Sequence, residues 1–428
     1  MARDSLYPVS VKAGKPILGM LPTGWQKLSL EKCLNIEARK AYIQDNQEYD
    51  LVTVKRSRGG VIRREHLKGK DISVKSQFYI KEGDFLISKR QIVHGACGRV
   101  PKELSGSIVS NEYCVLTGKS GFYLPYMEFL SESLYFQQTC FHSSIGVHIE
   151  KMIFKLDSWF KWPFNIPPLS EQKRIVKILS TWDKAISVTE KLLANSQQQK
   201  KALMQQLVTG KKRLLDENGV RFSGEWEKGK FCDMANIDTG YAFKSKDFTQ
   251  SDSGIPIIRM SDFKTGGLDV LGAAKVDRDS VNGLDKFKLR VGDFVFGMSG
   301  SLNNYGRVEK KDLPCYLNQR VGRILAKECA SQAFITYLYL SDSIQQSILD
   351  KAAGAAQLNI SISDLRSMVV YYPCIEEQQK IAAVLSAADA EISTLEKKLA
   401  CLRDEKKALM QQLLTGKRRV KVDEAVAE

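Results

Sequence analysis

The sequence predicts an α+β protein in which two globular segments alternate with two long helices. A segment from Leu169 to Leu214 returns, without a gap, from Ile375 to Val420. Both copies carry apolar residues at helical spacing, whereas the stretches ahead of them alternate short β-like runs with glycines. A chain of 428 residues also exceeds one ordinary hydrophobic core, so at least two domains are expected.

The two globular segments share traces of one frame. "YIKEGDFLIS" (Tyr79 to Ser88) resembles "FKLRVGDFVFG" (Phe287 to Gly297), and each pattern predicts a strand after a Gly-Asp turn. A Gly-Arg-Val triplet follows each stretch at a similar distance, so both segments are expected to form related α+β domains. The predicted division is an N-terminal segment 1–20, a first domain 21–166, a first helix 167–214, a second domain 215–373, a second helix 374–420 and a C-terminal tail 421–428.

Each repeated segment is predicted to form one long helix. "KKALMQQLVTGKKRL" from Lys200 matches "KKALMQQLLTGKRRV" from Lys406 at twelve of fifteen positions. Upstream, apolar residues recur at alternating spacings of four and three, which indicates the seam of a coiled coil. Prolines stand just before each segment, and Gly210 and Gly416 follow as stop signals. About 40 residues at 1.5 Å each give a rod of roughly 60 Å.

Two features of the helices permit more than one interpretation. Lys200 and Lys406 fall on the seam, where a lysine can fix register, face a third partner or extend into solvent. The basic clusters just after each helix, Lys211-Lys212-Arg213 and Lys417-Arg418-Arg419, complement the helix dipole, and this explanation is preferred to DNA binding. Another protein could dock along the glutamine pairs before them, Gln205-Gln206 and Gln411-Gln412.

The composition favours a polyanionic partner. Lys and Arg number 64 against 49 Asp and Glu, so the formal net charge is +15 and the pI about 9.2. A basic protein without nucleic acid remains an alternative at this point. No apolar run approaches the roughly 20 residues of a membrane helix, and the N-terminus has no signal-peptide pattern, so a cytoplasmic protein without membrane contact is expected. The nine cysteines form no CxxC pair, so reduced thiols and no metal site are expected.

Several stretches resemble the specificity subunit of type I restriction–modification systems. The helices begin with "PPLSEQKRIVKIL" and "EEQQKIAAVLS" and end with "QQLVTGKKR" and "QQLLTGKRR". In the second domain, "YAFKSKDF" followed by "GIPIIRMSDF" is also typical of that family. The resemblance covers nearly the whole chain, and none of these motifs carries catalytic residues.

The resemblance implies a subunit that recognises DNA and is not an enzyme. Each globular segment would be a target-recognition domain that reads one half of a bipartite, asymmetric site in double-stranded DNA. The helices would pair as an antiparallel coiled coil with pseudo-two-fold symmetry, and so set the spacing of the half-sites. Two methyltransferase (M) subunits would dock on the helices and restriction (R) subunits would join them. No cofactor is expected on this chain, because S-adenosylmethionine, ATP and Mg would belong to those partners.

Candidate DNA contacts come from basic or amide-rich loops, because Lys bonds phosphates and Arg and Asn can bond base edges. The first domain offers "VKRSRGGVIRREHLKGK" and "SKRQIVHGACGR", and the second "GYAFKSKDF" and "SGSLNNYGR". A solvated charged hairpin and a plain turn explain two of these stretches as well. The predicted DNA-binding residues are Lys55, Arg56, Arg58, Arg63, Arg64, Lys89, Arg90, Arg99, Tyr241, Lys244, Lys246, Asn303, Asn304, Tyr305 and Arg307.

An enzyme and a protein-binding scaffold are the alternatives to DNA recognition. An enzyme is disfavoured because the sequence has no P-loop, no Asn-Pro-Pro-Tyr-type methyltransferase motif and no zinc-ligand spacing. A non-catalytic coiled-coil scaffold whose globular domains bind protein is the remaining alternative. The excess of positive charge and the divergence of the globular segments on shared helices argue against it.

Overall fold

The computed structural model describes residues 14–264, 267–352 and 359–421. Residues 1–13 of the predicted N-terminal segment and residues 422–428 of the predicted tail lie outside this part of the chain. The contacts divide the chain into two compact units, of which the first comprises Met1–Glu190 with Lys398–Glu428 and the second Lys191–Lys397. Each long helix therefore contributes one part to each unit.

The first unit combines short strands with three short helices. Its strands are β1 (Gln26–Ser29), β2 (Leu34–Glu37), β3 (Lys40–Ala41), β4 (Glu48–Val54), β5 (Val61–Lys68), β6 (Gln77–Tyr79), β7 (Phe85–Ser88), β8 (Cys97–Arg99), β9 (Ile108–Ser110), β10 (Tyr113–Gly118), β11 (Ser144–Ile145), β12 (Ile153–Phe154) and β13 (Pro163–Ile166). Its helices are α1 (Tyr126–Leu130), α2 (Leu134–His142), α3 (Leu156–Phe160) and the first part of α4 (Leu169–Leu207).

Two main sheets organise this unit. One sheet has the strand order β2-β10-β7-β8, and the other β3-β6-β9-β4-β5. The largest core cluster lies between the first sheet and the helices, where Trp159, Tyr126 and Phe136 are fully buried. A second cluster packs between the two sheets around Val52, Leu86 and other small apolar residues.

The second unit is built from the last part of α4 and the elements that follow it. Its strands are β14 (Glu227–Lys230), β15 (Ala235–Thr239), β16 (Phe248–Thr249), β17 (Ile255–Ile258), β18 (Phe263–Lys264), β19 (Gly267–Leu268), β20 (Lys275–Val276), β21 (Phe294–Gly297), β22 (Tyr305–Arg307), β23 (Tyr316–Leu317), β24 (Val321–Ala326) and β25 (Val369–Tyr372). Its own helices are α5 (Phe231–Met234), α6 (Gln332–Tyr339), α7 (Asp342–Ala352), α8 (Ile362–Ser367) and the first part of α9 (Ile375–Leu414). The last part of α9 belongs to the first unit.

One of the two four-stranded sheets of the second unit repeats the topology of the four-stranded sheet of the first unit. Its order is β15-β24-β21-β22, in which β24 pairs antiparallel with both β15 and β21 as β10 pairs with β2 and β7. The two-stranded antiparallel sheets β1-β13 and β14-β25 also correspond. The remaining large sheets differ, since the second unit has the order β16-β20-β17-β23 where the first has five strands. The chain thus repeats two sheets and varies a third.

The predicted strands after the Gly-Asp turns are confirmed as β7 and β21. In each turn the glycine has a φ near +90°, a conformation that is strained for a residue with a side chain. The glycine N–H donates to the residue that directly follows the neighbouring strand. The Gly83 N–H bonds the Val100 carbonyl and the Gly292 N–H bonds the Val308 carbonyl, each at 2.9 Å. The following aspartate accepts a backbone N–H within its own turn in both units.

The two predicted long helices are confirmed as α4 and α9, and they pair antiparallel within each unit. In the first unit, Ile175 and Leu179 near the start of α4 share a core with Leu413 at the end of α9. In the second unit, Leu207 at the end of α4 shares a core with Leu385 near the start of α9. Among the described residues, no helix has both the length and the apolar character needed to cross a membrane.

Candidate nucleic-acid interface

Three loops of the second unit meet at one edge of its sheet β15-β24-β21-β22. β15 ends at Thr239, which lies opposite Gly322 near the start of β24. β21 ends at Gly297 opposite Val321, and β22 begins at Tyr305 next to that end of β21. Because neighbouring strands are antiparallel, the loops 240–247, 298–304 and 318–320 all leave the sheet at this edge. We call them the edge loops of the second unit.

The first of these loops carries three predicted DNA contacts. Tyr241 packs its ring against Phe243 at 5.0 Å and Phe287 at 5.7 Å, so much of its face is used inside the domain. Lys244 and Lys246 are exposed, and no carboxylate of the described residues lies within 4 Å of the Nζ atom of either lysine. Both lysines are therefore available to phosphates.

The second loop carries two more predicted residues, Asn303 and Asn304, and Tyr305 follows it as the first residue of β22. Asn303 is exposed, and the Asn304 carbonyl accepts the Gly297 N–H at 2.7 Å, which fixes the turn. Tyr305 is half-buried, with its ring 6.0 Å from Phe294. Burial raises the pKa of Tyr305. Arg307 is exposed at the other end of β22, opposite Phe294 and away from the edge loops.

The matching edge of the first unit holds Lys89 and Arg90. There β7 ends at Ser88 opposite Tyr113, the first residue of β10. The Lys89 Nζ donates to the Asn111 carbonyl at 2.7 Å, and the Arg90 Nε lies 2.7 Å from a carboxylate oxygen of Glu112. Both cations are thus engaged by the segment that precedes β10.

Arg99 lies elsewhere in the first unit. It is placed opposite Phe85, at the other end of β7, and pairs with Glu128 of α1 at 3.0 Å. This position matches that of Arg307 in the second unit, because both arginines pair with the first residue of the strand after the Gly-Asp turn. Neither arginine lies at the edge that gathers the loops.

The basic hairpin of β4 and β5 is largely neutralised by its surroundings. Arg56 pairs with Glu150 at 2.6 Å, Arg63 with Asp50 at 2.8 Å and Arg64 with Glu65 at 3.2 Å. Arg58 donates from its Nε and Nη2 to the Ser131 carbonyl at 3.1 and 2.6 Å, which ties the turn to the end of α1. Lys55 is exposed at the start of this turn. The DNA-binding roles of these residues stay predictions.

The third edge loop of the second unit, Asn318-Gln319-Arg320, was missed by the sequence prediction. Gly240 of the first loop lies directly on it: a Cβ there would come within 2.1 Å of the Leu317 carbonyl oxygen. Gln319 and Arg320 are exposed. The available signal was a short polar triplet before the buried strand β24, which lacks the clustered charge that drew attention to the hairpin.

Sequence reasoning also missed a clamp in each unit that joins the two helices. In the second unit, the Nε and Nη2 of Arg213 each donate to the carboxylate of Glu377 at 2.6 Å. Glu377 lies in the first turn of α9 and is fully buried, while Arg213 follows the end of α4 and lies 5.9 Å from the Trp226 ring. The hydrogen bonds to Glu377 raise the pKa of Arg213.

The first unit repeats the clamp with corresponding residues. Arg419, which follows α9, donates to Glu171 in the first turn of α4 at 2.9 and 2.8 Å. Here Trp25 adds a third bond, from its Nε1 to Glu171 at 2.9 Å. The last arginine of each basic cluster therefore binds the start of the other helix, a role that the helix-dipole explanation does not include.

The seam lysines join the helices as well. Lys406 Nζ lies 2.7 Å from Asp183 and 5.5 Å from the Phe129 ring centroid. Lys200 Nζ lies 2.5 Å from Asp389, and its ring partner is Tyr337 at 5.7 Å. Of the interpretations left open by the sequence, the structure favours a role in helix register, because each lysine pairs with an aspartate of the other helix.

Comparison with known proteins agrees with this repeated architecture. Residues 22–195 and 223–402 each match the family described as type I restriction modification DNA specificity domain. The chain is 30% identical over 311 residues to the type I restriction enzyme MjaVIII specificity subunit of Methanocaldococcus jannaschii, and the match covers 70% of both chains.

Two solved structures share the fold over nearly the whole chain. The HsdS subunit from Thermoanaerobacter tengcongensis matches with a TM-score of 0.51 and 18% identity, over 94% of this chain and 99% of that one. The type I restriction–modification S subunit from M. genitalium matches with a TM-score of 0.55 and 12% identity, over 92% and 99%. Since the family match spans most of its length in two copies, the chain belongs to the family of type I restriction–modification DNA specificity domains.

Proposed function

We propose that this chain is the sequence-specific DNA-binding subunit of a type I restriction–modification complex. Each recognition domain reads one half of a bipartite, asymmetric target, and the paired helices set the distance between the halves. One observation carries the proposal: the two units share a sheet topology and a Gly-Asp frame, but their edge loops carry different polar side chains. A shared frame with different edge residues suits two half-sites of different sequence.

The net charge of +15 supports binding to DNA rather than to protein. Binding of the full chain, with its partner subunits, to a duplex should weaken steeply as salt rises, with a slope of log K against log salt of about −0.9 per phosphate contact. A protein-binding scaffold would show no salt-dependent affinity for duplex DNA. Equal failure to bind at low and high salt would therefore contradict the proposal.

We also propose that two copies of one methyltransferase subunit dock at the ends of the two helices. Several exposed positions near these ends are identical in both copies. For the Lys201–Lys407 and Gln206–Gln412 pairs, no side-chain contact within the described residues explains the identity. Thr209 and Thr415 each donate to a carbonyl of their own helix, and Gln205 donates to Asp342, so these positions also have a structural role. Exposed positions near the starts of the helices differ. The identical pairs are Lys201 and Lys407, Gln205 and Gln411, Gln206 and Gln412, and Thr209 and Thr415, whereas the differing pairs include Lys173 and Gln379, Lys177 and Ala383, and Lys184 and Ala390.

Native mass spectrometry of the assembled complex tests this docking. Gln206→Arg or Gln412→Arg alone should leave one methyltransferase copy bound, and the double variant should leave none. Lys184→Ala is the matched control, because it copies the alanine found at the exposed position 390 and should leave two copies. A double variant that retains both copies would refute the proposed surface.

The remaining parts of the proposal concern the partners. Restriction subunits join the assembly, and the adenine methylation and DNA cleavage take place on the partner subunits, which hold S-adenosylmethionine, ATP and Mg. This chain supplies recognition and spacing and performs no chemistry of its own. The complex would act in the cytoplasm, where its DNA substrate is found.

A further inference from the structure

We propose that Arg320, with Gln319 beside it, is the base-reading element of the second unit, and that Arg320 binds a guanine in the major groove. The inference rests on the proposed function, because it names the residues that would read one half-site. Neither residue belongs to a charged cluster in the sequence, and their assignment depends on the structure of the sheet edge.

The backbone that carries these residues is held rigidly from several sides. The Asn318 N–H donates to the Ile258 carbonyl at 3.2 Å, and the Gln319 N–H donates to the Tyr241 carbonyl at 3.0 Å. The Arg320 carbonyl accepts the Met298 N–H at 3.1 Å. The triplet is thus bonded to three separate segments, two of which are the other edge loops. A backbone fixed in this way can present side chains to a ligand with little ordering cost.

The side chains of Gln319 and Arg320 face solvent on this platform. Both residues are exposed, and within the part of the chain that the structure describes no carboxylate lies within 4 Å of the Arg320 guanidinium. By contrast, most arginines predicted for the first unit are engaged by acidic or carbonyl groups. The exposed Lys244 and Lys246 lie on the first edge loop of the same sheet, where they can hold phosphates while Arg320 reaches a base.

The first unit identifies the structurally equivalent position. Its Lys89 N–H donates to the Glu112 carbonyl at 2.9 Å, just as the Met298 N–H donates to Arg320. The carbonyls of Lys89 and Met298 correspond as well. The Lys89 carbonyl accepts the Phe154 N–H at 2.8 Å, and the Met298 carbonyl accepts the Ile360 N–H at 2.6 Å. Glu112 therefore occupies in the first unit the place of Arg320 in the second.

Equivalent backbone positions thus carry side chains of opposite charge. Glu112 is paired with Arg90 at 2.7 Å, whereas Arg320 has no such carboxylate among the described residues. An arginine can bond O6 and N7 of guanine with two parallel hydrogen bonds, which a glutamate cannot do, and a glutamine can bond adenine in the same way. Side chains of opposite charge at one shared backbone position would let the two units read half-sites of different sequence.

The inference is tested with Arg320→Ala and Arg320→Lys in the assembled complex. The target of each complex is determined by mapping methylated sites, and affinities are measured on duplexes that vary one base pair at a time. In the wild type, replacing the guanine read by Arg320 should weaken binding roughly 5- to 150-fold, the discrimination that a bidentate contact supplies. At one position of one half-site, Arg320→Ala should lose this preference and Arg320→Lys should weaken it, and the other half-site should remain unchanged.

Arg320→Lys separates base reading from charge. It keeps the positive charge but not the planar fork, so its affinity should fall less than that of Arg320→Ala, and its preference for guanine should be weaker than that of the wild type. Lys327→Ala is the matched control. Arg320 precedes β24 and the exposed Lys327 follows it, so the two residues lie about 23 Å apart at ~3.3 Å per residue. Its loss should leave the recognised sequence unchanged.

The outcomes distinguish this inference from the function on which it rests. A wild-type complex that methylates no bipartite site contradicts the proposed function, and the inference falls with it. If the wild type has a bipartite target and both Arg320 variants keep its preference at every base pair, the inference is contradicted but the proposed function is not. The inference is equally overturned if Lys327→Ala relaxes the same base pair, because the effect would then be one of charge only.

Discussion

Replacement of Arg213 by alanine should destabilise the second unit more than the matched replacement of Arg419 destabilises the first. Arg213 supplies both of the 2.6 Å hydrogen bonds that the buried Glu377 carboxylate receives from a side chain. The nearby Trp226 does not bond Glu377, since its buried Nε1 has no hydrogen-bond partner among the described residues. Without Arg213, a carboxylate remains in the core with no counter-charge.

The magnitudes follow from burial. Removal of one partner from a buried ion pair costs about 3–5 kcal/mol of unfolding free energy, which applies to Glu377 with no exposed side-chain surface. Arg419 is 43% exposed, so solvent already screens its pair with Glu171. Glu171 would also keep its hydrogen bond from the Trp25 indole. The cost of Arg419→Ala should therefore be only about 1–3 kcal/mol.

Urea unfolding of the full chain, followed by circular dichroism, measures both variants. Glu377→Gln in the Arg213→Ala background removes the unpaired charge and should recover part of the lost free energy. The reasoning is refuted if Arg213→Ala lies within 1 kcal/mol of the wild type, or if Arg419→Ala costs more than Arg213→Ala. Failure of Glu377→Gln to restore any stability would show that the buried charge is not the cause.

Two further predictions concern the two units separately. Gly240→Ala should cost at least about 1–3 kcal/mol and weaken DNA binding, because its Cβ would meet the Leu317 carbonyl oxygen at 2.1 Å; Gly224→Ala, which has open space, is the control, and equal urea midpoints for the two variants would contradict the contact. His66 bonds Asp50 at 2.7 Å and Glu48 at 3.3 Å, which raises its pKa, so its imidazole should titrate in NMR above the ordinary value of about 6.5. The stabilisation that protonated His66 gives the folded protein is fully present below pH ~6.5 and is lost as the pH rises through the raised pKa. Asp50→Asn should lower the NMR titration midpoint of His66, and a wild-type titration midpoint at or below 6.5 would contradict the hydrogen bonds.

The long helices and the Gly-Asp strands could be predicted from the sequence because their signals are local. The seam spacing, the prolines before the helices and the glycines after them all act within a few residues. The antiparallel pairing came from the resemblance, and the cores shared by the start of one helix and the end of the other confirm it.

The sheet edge could not be predicted because it depends on contacts between distant residues. Tyr241 and Gln319 share a backbone hydrogen bond although 78 positions separate them along the chain. Local charge density instead favoured the hairpin around Arg56 and Arg58. The groups that engage those two side chains, Glu150 and the Ser131 carbonyl, lie far along the sequence and only the fold brings them close.

The most direct test of the proposed function is a map of methylated adenines in host DNA with and without this gene, with the partner subunits expressed. The account predicts that one bipartite, asymmetric motif loses methylation when the gene is deleted, and that all other methylated motifs persist. It is contradicted if no bipartite motif depends on the gene, or if the motif that disappears is a single uninterrupted sequence.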